Sequence, residues 1–128
     1  MIRSLVLSGL LASLAVCGAR ADPSLVEKAF GNTIVSTYPD GRTAELWLKP
    51  DGSYTAEGRR HDPSRGHWRI KGNRLCLSQV RPIPSPFSYC TAIPSTGMGR
   101  AWPAKAVTGE RITVRLVHGH HAGEQTGA

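Results

Sequence analysis

The chain has 128 residues, with 16 Lys and Arg against 9 Asp and Glu, a net charge of +7. That length leaves room for one domain and little else. Three Trp, three Tyr and two Phe give a modest core, and the basic balance points to anionic partners.

The first segment reads MIRSLVLSGLLASLAVCGARAD. Arg3 supplies a positive start, Leu5 to Val16 a short apolar run, and Ala19-Arg20-Ala21 an A-x-A cleavage site. These features predict a secretory signal peptide over residues 1–21, cut after Ala21. The apolar run is too short for the roughly 20 residues of a spanning helix, so no transmembrane segment is expected. A lipid anchor on Cys17 is the alternative, but Val16 stands where a small residue is needed. Losing Arg3 and Arg20 lowers the net charge by two, to +5, and leaves Cys76 and Cys90. An exported chain with one cysteine pair should join it. Closing a loop of about 15 residues is worth roughly 3 kcal/mol in the chain-entropy model.

DPSLVEKAF, residues 22–30, predicts a short helix that Asp22 or Ser24 caps, Gly31 ends, and whose apolar stripe packs across an open barrel end. From Asn32 the hydrophobic period becomes two. NTIVSTY and RTAELWLK are strands joined by Pro39-Asp40-Gly41, and a second Pro-Asp-Gly at 50–52 leads into SYTAEG. On the second strand Ala44, Leu46 and Leu48 share one face, and Trp47 lies on the other, where it is expected to be exposed. GHWRI and RLCLSQV flank the turn at Lys71 to Arg74. Trp68 and Ile70 face Leu75 and Leu77 across it as core, while His67 and Arg69 look outward and Cys76 looks outward or toward a second layer. Pro82 to Pro86 form a connector. FSYCTAI follows, with Phe87 and Tyr89 on one face and Cys90 on the other. AWPAKAV and RITVRLVHG close the series. The prediction is all-β: an antiparallel meander of about eight short strands in a small closed or nearly closed barrel, with a short N-terminal helix. The domain spans residues 22–118, and 119–128 form a mobile tail.

The run Asp51-Gly52-Ser53-Tyr54, with Gly66-His67-Trp68-Arg69-Ile70-Lys71-Gly72-Asn73-Arg74-Leu75-Cys76 and Tyr89-Cys90, resembles the small secreted lipocalin-like (calycin-type) domains of proteobacteria, many without assigned function. The likeness covers roughly Gly31 to Val117. It implies the barrel fold and no catalytic residue.

Three groups carry candidate chemistry. In GRRHDPSRGHWR, Arg59, Arg60, Arg65 and Arg69 gather with His61 and His67 around one turn, and guanidinium groups pair well with phosphate and carboxylate. The bland alternative is a solvated hairpin tip. His118, His120 and His121 supply three imidazoles for Zn or Cu, with no carboxylate or Cys spacing to complete a shell. His61, Asp62 and Ser64 are neighbours on a turn, whereas triads converge from separate elements. Nucleophile elbow, His-Glu-x-x-His and Gly-rich phosphate loop are all missing, so no enzyme and no cofactor is expected.

The resulting expectation is a monomeric, non-catalytic periplasmic or secreted binding domain. Arg59, Arg60, Arg65 and Trp47 would contact an anionic ligand or envelope component. Nucleic acid is not expected, since no recognised module is present. Two alternatives stand beside it. One is an inhibitor of a protease or lysozyme that presents the stiff SQVRPIPSPFSYC loop. The other is metal handling by the His-rich tail.

Overall fold

Two Pro-Asp-Gly turns start the sheet. Asp40 Oδ1 accepts the Arg42 amide at 2.9 Å, and Asp51 Oδ1 accepts the Ser53 amide at 2.8 Å. Gly41 and Gly52 take φ of 84° and 89°, which residues with a Cβ rarely adopt. The computed structural model describes residues 24–94 and 100–120. Within them run β1 (Thr33–Thr37), β2 (Thr43–Leu48), β3 (Ser53–Glu57), β4 (Pro63–Lys71), β5 (Arg74–Arg81), β6 (Tyr89–Ala92), β7 (Trp102–Lys105) and β8 (Arg111–Val117).

All eight belong to one antiparallel sheet in the order β6-β5-β4-β3-β2-β1-β8-β7. The last strands return to the first: Ile34 pairs Leu46 on one side and Leu116 on the other. Among the described residues only the seam between β6 and β7 lacks a ladder, and there the Tyr89 hydroxyl donates to the Lys105 carbonyl. The result is the nearly closed barrel that the strand spacing predicts.

Alternation sorts the side chains. Ile34, Leu48, Tyr54, Leu75, Ile112 and Val114 are buried in one cluster, with Trp68, Ile70, Leu77 and Trp102 packed against it. Helix α1 (Ser24–Glu27) brings Val26, and the turn after it brings Ala29, into the same cluster beside Leu48 and Tyr54. The Phe30 ring centroid lies 5.7 Å from that of Trp68. The helical segment thus packs on the barrel beside the Lys49–Gly52 turn, where Trp68 Nε1 donates to the Lys49 carbonyl at 2.8 Å.

Cys76 and Cys90 sit directly opposite each other on β5 and β6 and form a disulfide, with Cα atoms 4.0 Å apart. The β4–β5 ladder slips by one residue between Arg65 and Gly66, leaving Val80 as the extra residue of a bulge.

Three expectations are corrected. Residues 63–65 are strand, so Arg65 leaves the turn that holds Arg59 and Arg60; Pro63 is admitted because it opens the strand. Phe87 lies outside β6 and is 81% exposed. Trp47 is 7% exposed rather than open to solvent. The predicted leader, including Cys17, lies outside the described residues. No helix among those described is long and apolar enough to cross a membrane.

Candidate anion-binding face

The turn from Gly58 to Asp62 presents Arg59, Arg60 and His61, and with Gly41 and Arg42 they border a shallow open cleft. Its charges are mostly spent. Arg59 Nη2 and Nη1 donate to the two Glu110 carboxylate oxygens at 2.8 and 3.3 Å, and Asp40 lies 3.5 Å away. The guanidinium also sits 4.3 Å above the Tyr38 ring. Hydrogen bonds to Glu110 raise the Arg59 pKa further above its ordinary value, and the same bonds hold Glu110 below the ordinary carboxylate range. His61, at φ 63°, places Nδ1 2.8 Å from Glu57 Oε1. Arg60 is exposed. This cleft therefore offers two arginines, Arg42 and Arg60, amid the carboxylates of Asp40, Glu57 and Glu110.

A second basic group is built differently. Strand β4 sends Arg65, His67, Arg69 and Lys71 to the outer face at alternate positions, because Gly66, Trp68 and Ile70 face inward. Strand register adds Arg81 opposite Arg65 and Arg74 opposite Lys71. All six are exposed. The stripe runs for about 20 Å, with successive outward side chains about 7 Å apart along the strand. None of its Lys or Arg residues makes an ion pair among the described residues. Glu57, diagonal to Arg65 on β3, is held by His61.

The barrel interior offers little. An apolar cavity of about 70 Å³ is bordered by Ile34, Leu46, Leu77, Trp102, Ile112 and Val114. An apolar void of about 150 Å³ is the size that takes benzene, so this cavity is smaller than a benzene site.

Trp47 serves the structure. Its Nε1 donates to Thr33 Oγ1 at 2.9 Å, and that hydroxyl donates to the Gly119 carbonyl at 2.8 Å. The Gly119 amide donates to Asn32 Oδ1, and the His120 ring stacks on Trp47 with centroids 4.5 Å apart. Gly119 and His120, expected in the mobile tail, strap back over β1 and β2. His118 and His120 are exposed, His121 lies outside the described residues, and no group of three His, Cys, Asp or Glu comes together among those described.

Of the sequence candidates, Arg59 and Arg60 share the cleft, Arg65 joins the stripe, and Trp47 belongs to neither. Lys71, Arg74 and Arg81 were missed as site residues. The signal for them was present: basic residues at every second position of one strand, read across a two-residue turn. No family model matches the chain, and no curated protein or solved structure is significantly similar to it.

Proposed function

We propose that the chain is a non-catalytic, exported binding domain that takes a polyanionic partner on the outer face of β4 and β5. The observation that carries this reading is the stripe of Arg65, Arg69, Lys71, Arg74 and Arg81, exposed and free of carboxylate partners among the described residues. Such a field draws anions from solution and weakens within a Debye length of about 10 Å at 0.1 M salt. The leader-like N-terminus and the Cys76–Cys90 bond support an oxidising, exported setting. Membership of the lipocalin-like domains is part of the proposal and rests on the Gly66 to Cys76 pattern.

Retention on phosphocellulose, eluted by salt, tests the reading. The triple variant Arg65→Glu, Arg69→Glu, Arg81→Glu should elute at much lower salt than the parent. The variant Arg42→Glu, Arg60→Glu reverses two charges in the cleft and should shift less per charge. Equal shifts per charge would leave only net charge at work and would remove the stripe as a site.

A further inference from the structure

The described residues expose four large hydrophobics, and three of them, Val80, Ile83 and Phe87, lie within eight positions of one another. Ile83 is 71% and Phe87 81% exposed. Ile83 and Phe87 stand on the β5–β6 connector, which follows Arg81, the end of the cationic stripe, and Val80 is the bulge residue of β5.

The connector is held in shape. Pro82, Pro84 and Pro86 restrict its backbone. Gln79 Nε2 donates to the Ile83 carbonyl at 2.9 Å, and the Ser85 amide donates to the Gln79 carbonyl at 3.0 Å. Ser85 Oγ donates to the Phe87 carbonyl at 2.9 Å. Ser88 Oγ lies 2.8 Å from Ser78 Oγ, and Ser78 sits opposite His67 on the outer face. The disulfide closes the base one row further on. Two apolar tips are thus held on a braced connector that leaves the stripe at Arg81, and little ordering entropy is lost when they bind.

Resting on the polyanion reading, we infer that the partner is an anionic lipid surface. The stripe meets the headgroups, and Ile83 and Phe87 enter the acyl boundary. A soluble polyanion has no use for two apolar tips. A bilayer takes both features at once: each Lys or Arg near an anionic surface adds attraction, and the buried side chains add area-dependent affinity. The nearly closed barrel stays outside the hydrocarbon, as five unpaired cations on its face require.

The test uses the chain as recovered from an exporting host, with vesicles of phosphatidylglycerol and phosphatidylcholine, vesicles of phosphatidylcholine alone, and phosphocellulose. The parent should sediment with the anionic vesicles and not with the neutral ones. The variant Ile83→Ser, Phe87→Ser should bind anionic vesicles at least about tenfold more weakly while eluting from phosphocellulose at unchanged salt. Equal vesicle binding by parent and double-serine variant would overturn insertion and leave the polyanion reading standing. Retention on phosphocellulose without any vesicle binding would overturn the lipid partner alone. Failure on both supports would remove the polyanion reading as well. Block of a hydrolase that the double-serine variant loses, with its vesicle binding intact, would reassign the tips to a protein cleft.

Discussion

Arg59 and Glu110, 51 positions apart in sequence, join by two hydrogen bonds of 2.8 and 3.3 Å, one to each carboxylate oxygen. That pair removes the most obvious arginine of the basic turn from the set available to a ligand. It also makes a pH-dependent contribution whose sign is fixed. The Glu110 pKa is lowered in the folded chain, first by the Arg59 hydrogen bonds. Its contribution is therefore complete above the ordinary carboxylate range and is lost as pH falls through the lowered value. Both groups are partly exposed, so the effect is small. Glu110→Gln should slightly reduce thermal stability at neutral pH and flatten its decline in acid, read by thermal melts from pH 7 to pH 2. Phosphocellulose retention should not fall.

Trp47 and the tail lead to a second expectation. Thr33 Oγ1 accepts from Trp47 and donates to Gly119, so one hydroxyl joins the indole to the strap. Thr33→Val leaves a buried indole N–H and a carbonyl without this partner, a loss of about 1–3 kcal/mol. Ending the chain at Val117 uncovers the indole directly. Tryptophan emission should then move to longer wavelength, with the barrel's circular dichroism retained. An unchanged spectrum would mean that the strap does not shield Trp47.

How far the chain could be read in advance follows from the range of the interactions involved. Strand positions were legible because period-two alternation and the Pro-Asp-Gly turns are local signals. The Cys76–Cys90 bond was legible from pairing alone. The burial of Trp47 was not, since its cover comes from Gly119 and His120, more than 70 residues away. The Arg59–Glu110 pair was not legible for the same reason, its carboxylate arriving from the turn before β8. Phe87 fitted an alternating strand, but Ser85 binds the connector back on itself and Ser88 ties it to Ser78 of β5 before β6 begins. The basic residues were grouped by nearness in sequence, which mixed two surfaces; grouping them by strand face would have separated Arg65 and Arg69 from Arg59 and Arg60.

The disulfide gives a third expectation. It links adjacent strands beside the seam, where β6 has a ladder on one side only. Cys76→Ser with Cys90→Ser should reduce unfolding stability by about 3 kcal/mol in the chain-entropy model. Urea melts measure this. If β6 is what the bond holds, amide exchange should rise most in residues 89–92. Protection there that matches the parent would show that the ladder to β5 suffices.

Gly66 gives the fourth. A Cβ built there would lie 2.0 Å from the Ser78 carbonyl oxygen and 2.9 Å from the Gln79 Cα, both backbone atoms that move only with the strand. Gly58 makes an instructive contrast. Its added Cβ would meet the Asp62 carboxylate at 2.5 Å, the far end of a side chain that can turn away. Gly66→Ala should therefore cost about 3 kcal/mol through overpacking, and Gly58→Ala much less. The site matters beyond stability. Gly66 stands at the bulge that sets Arg65 opposite Arg81. Forcing β4 and β5 apart there should disturb that end of the cationic stripe and the root of the connector together. A folded Gly66→Ala protein should elute from phosphocellulose at lower salt although no charge has changed. Parent-like elution from a destabilised but folded variant would mean that the anion contacts do not depend on the register of that pair.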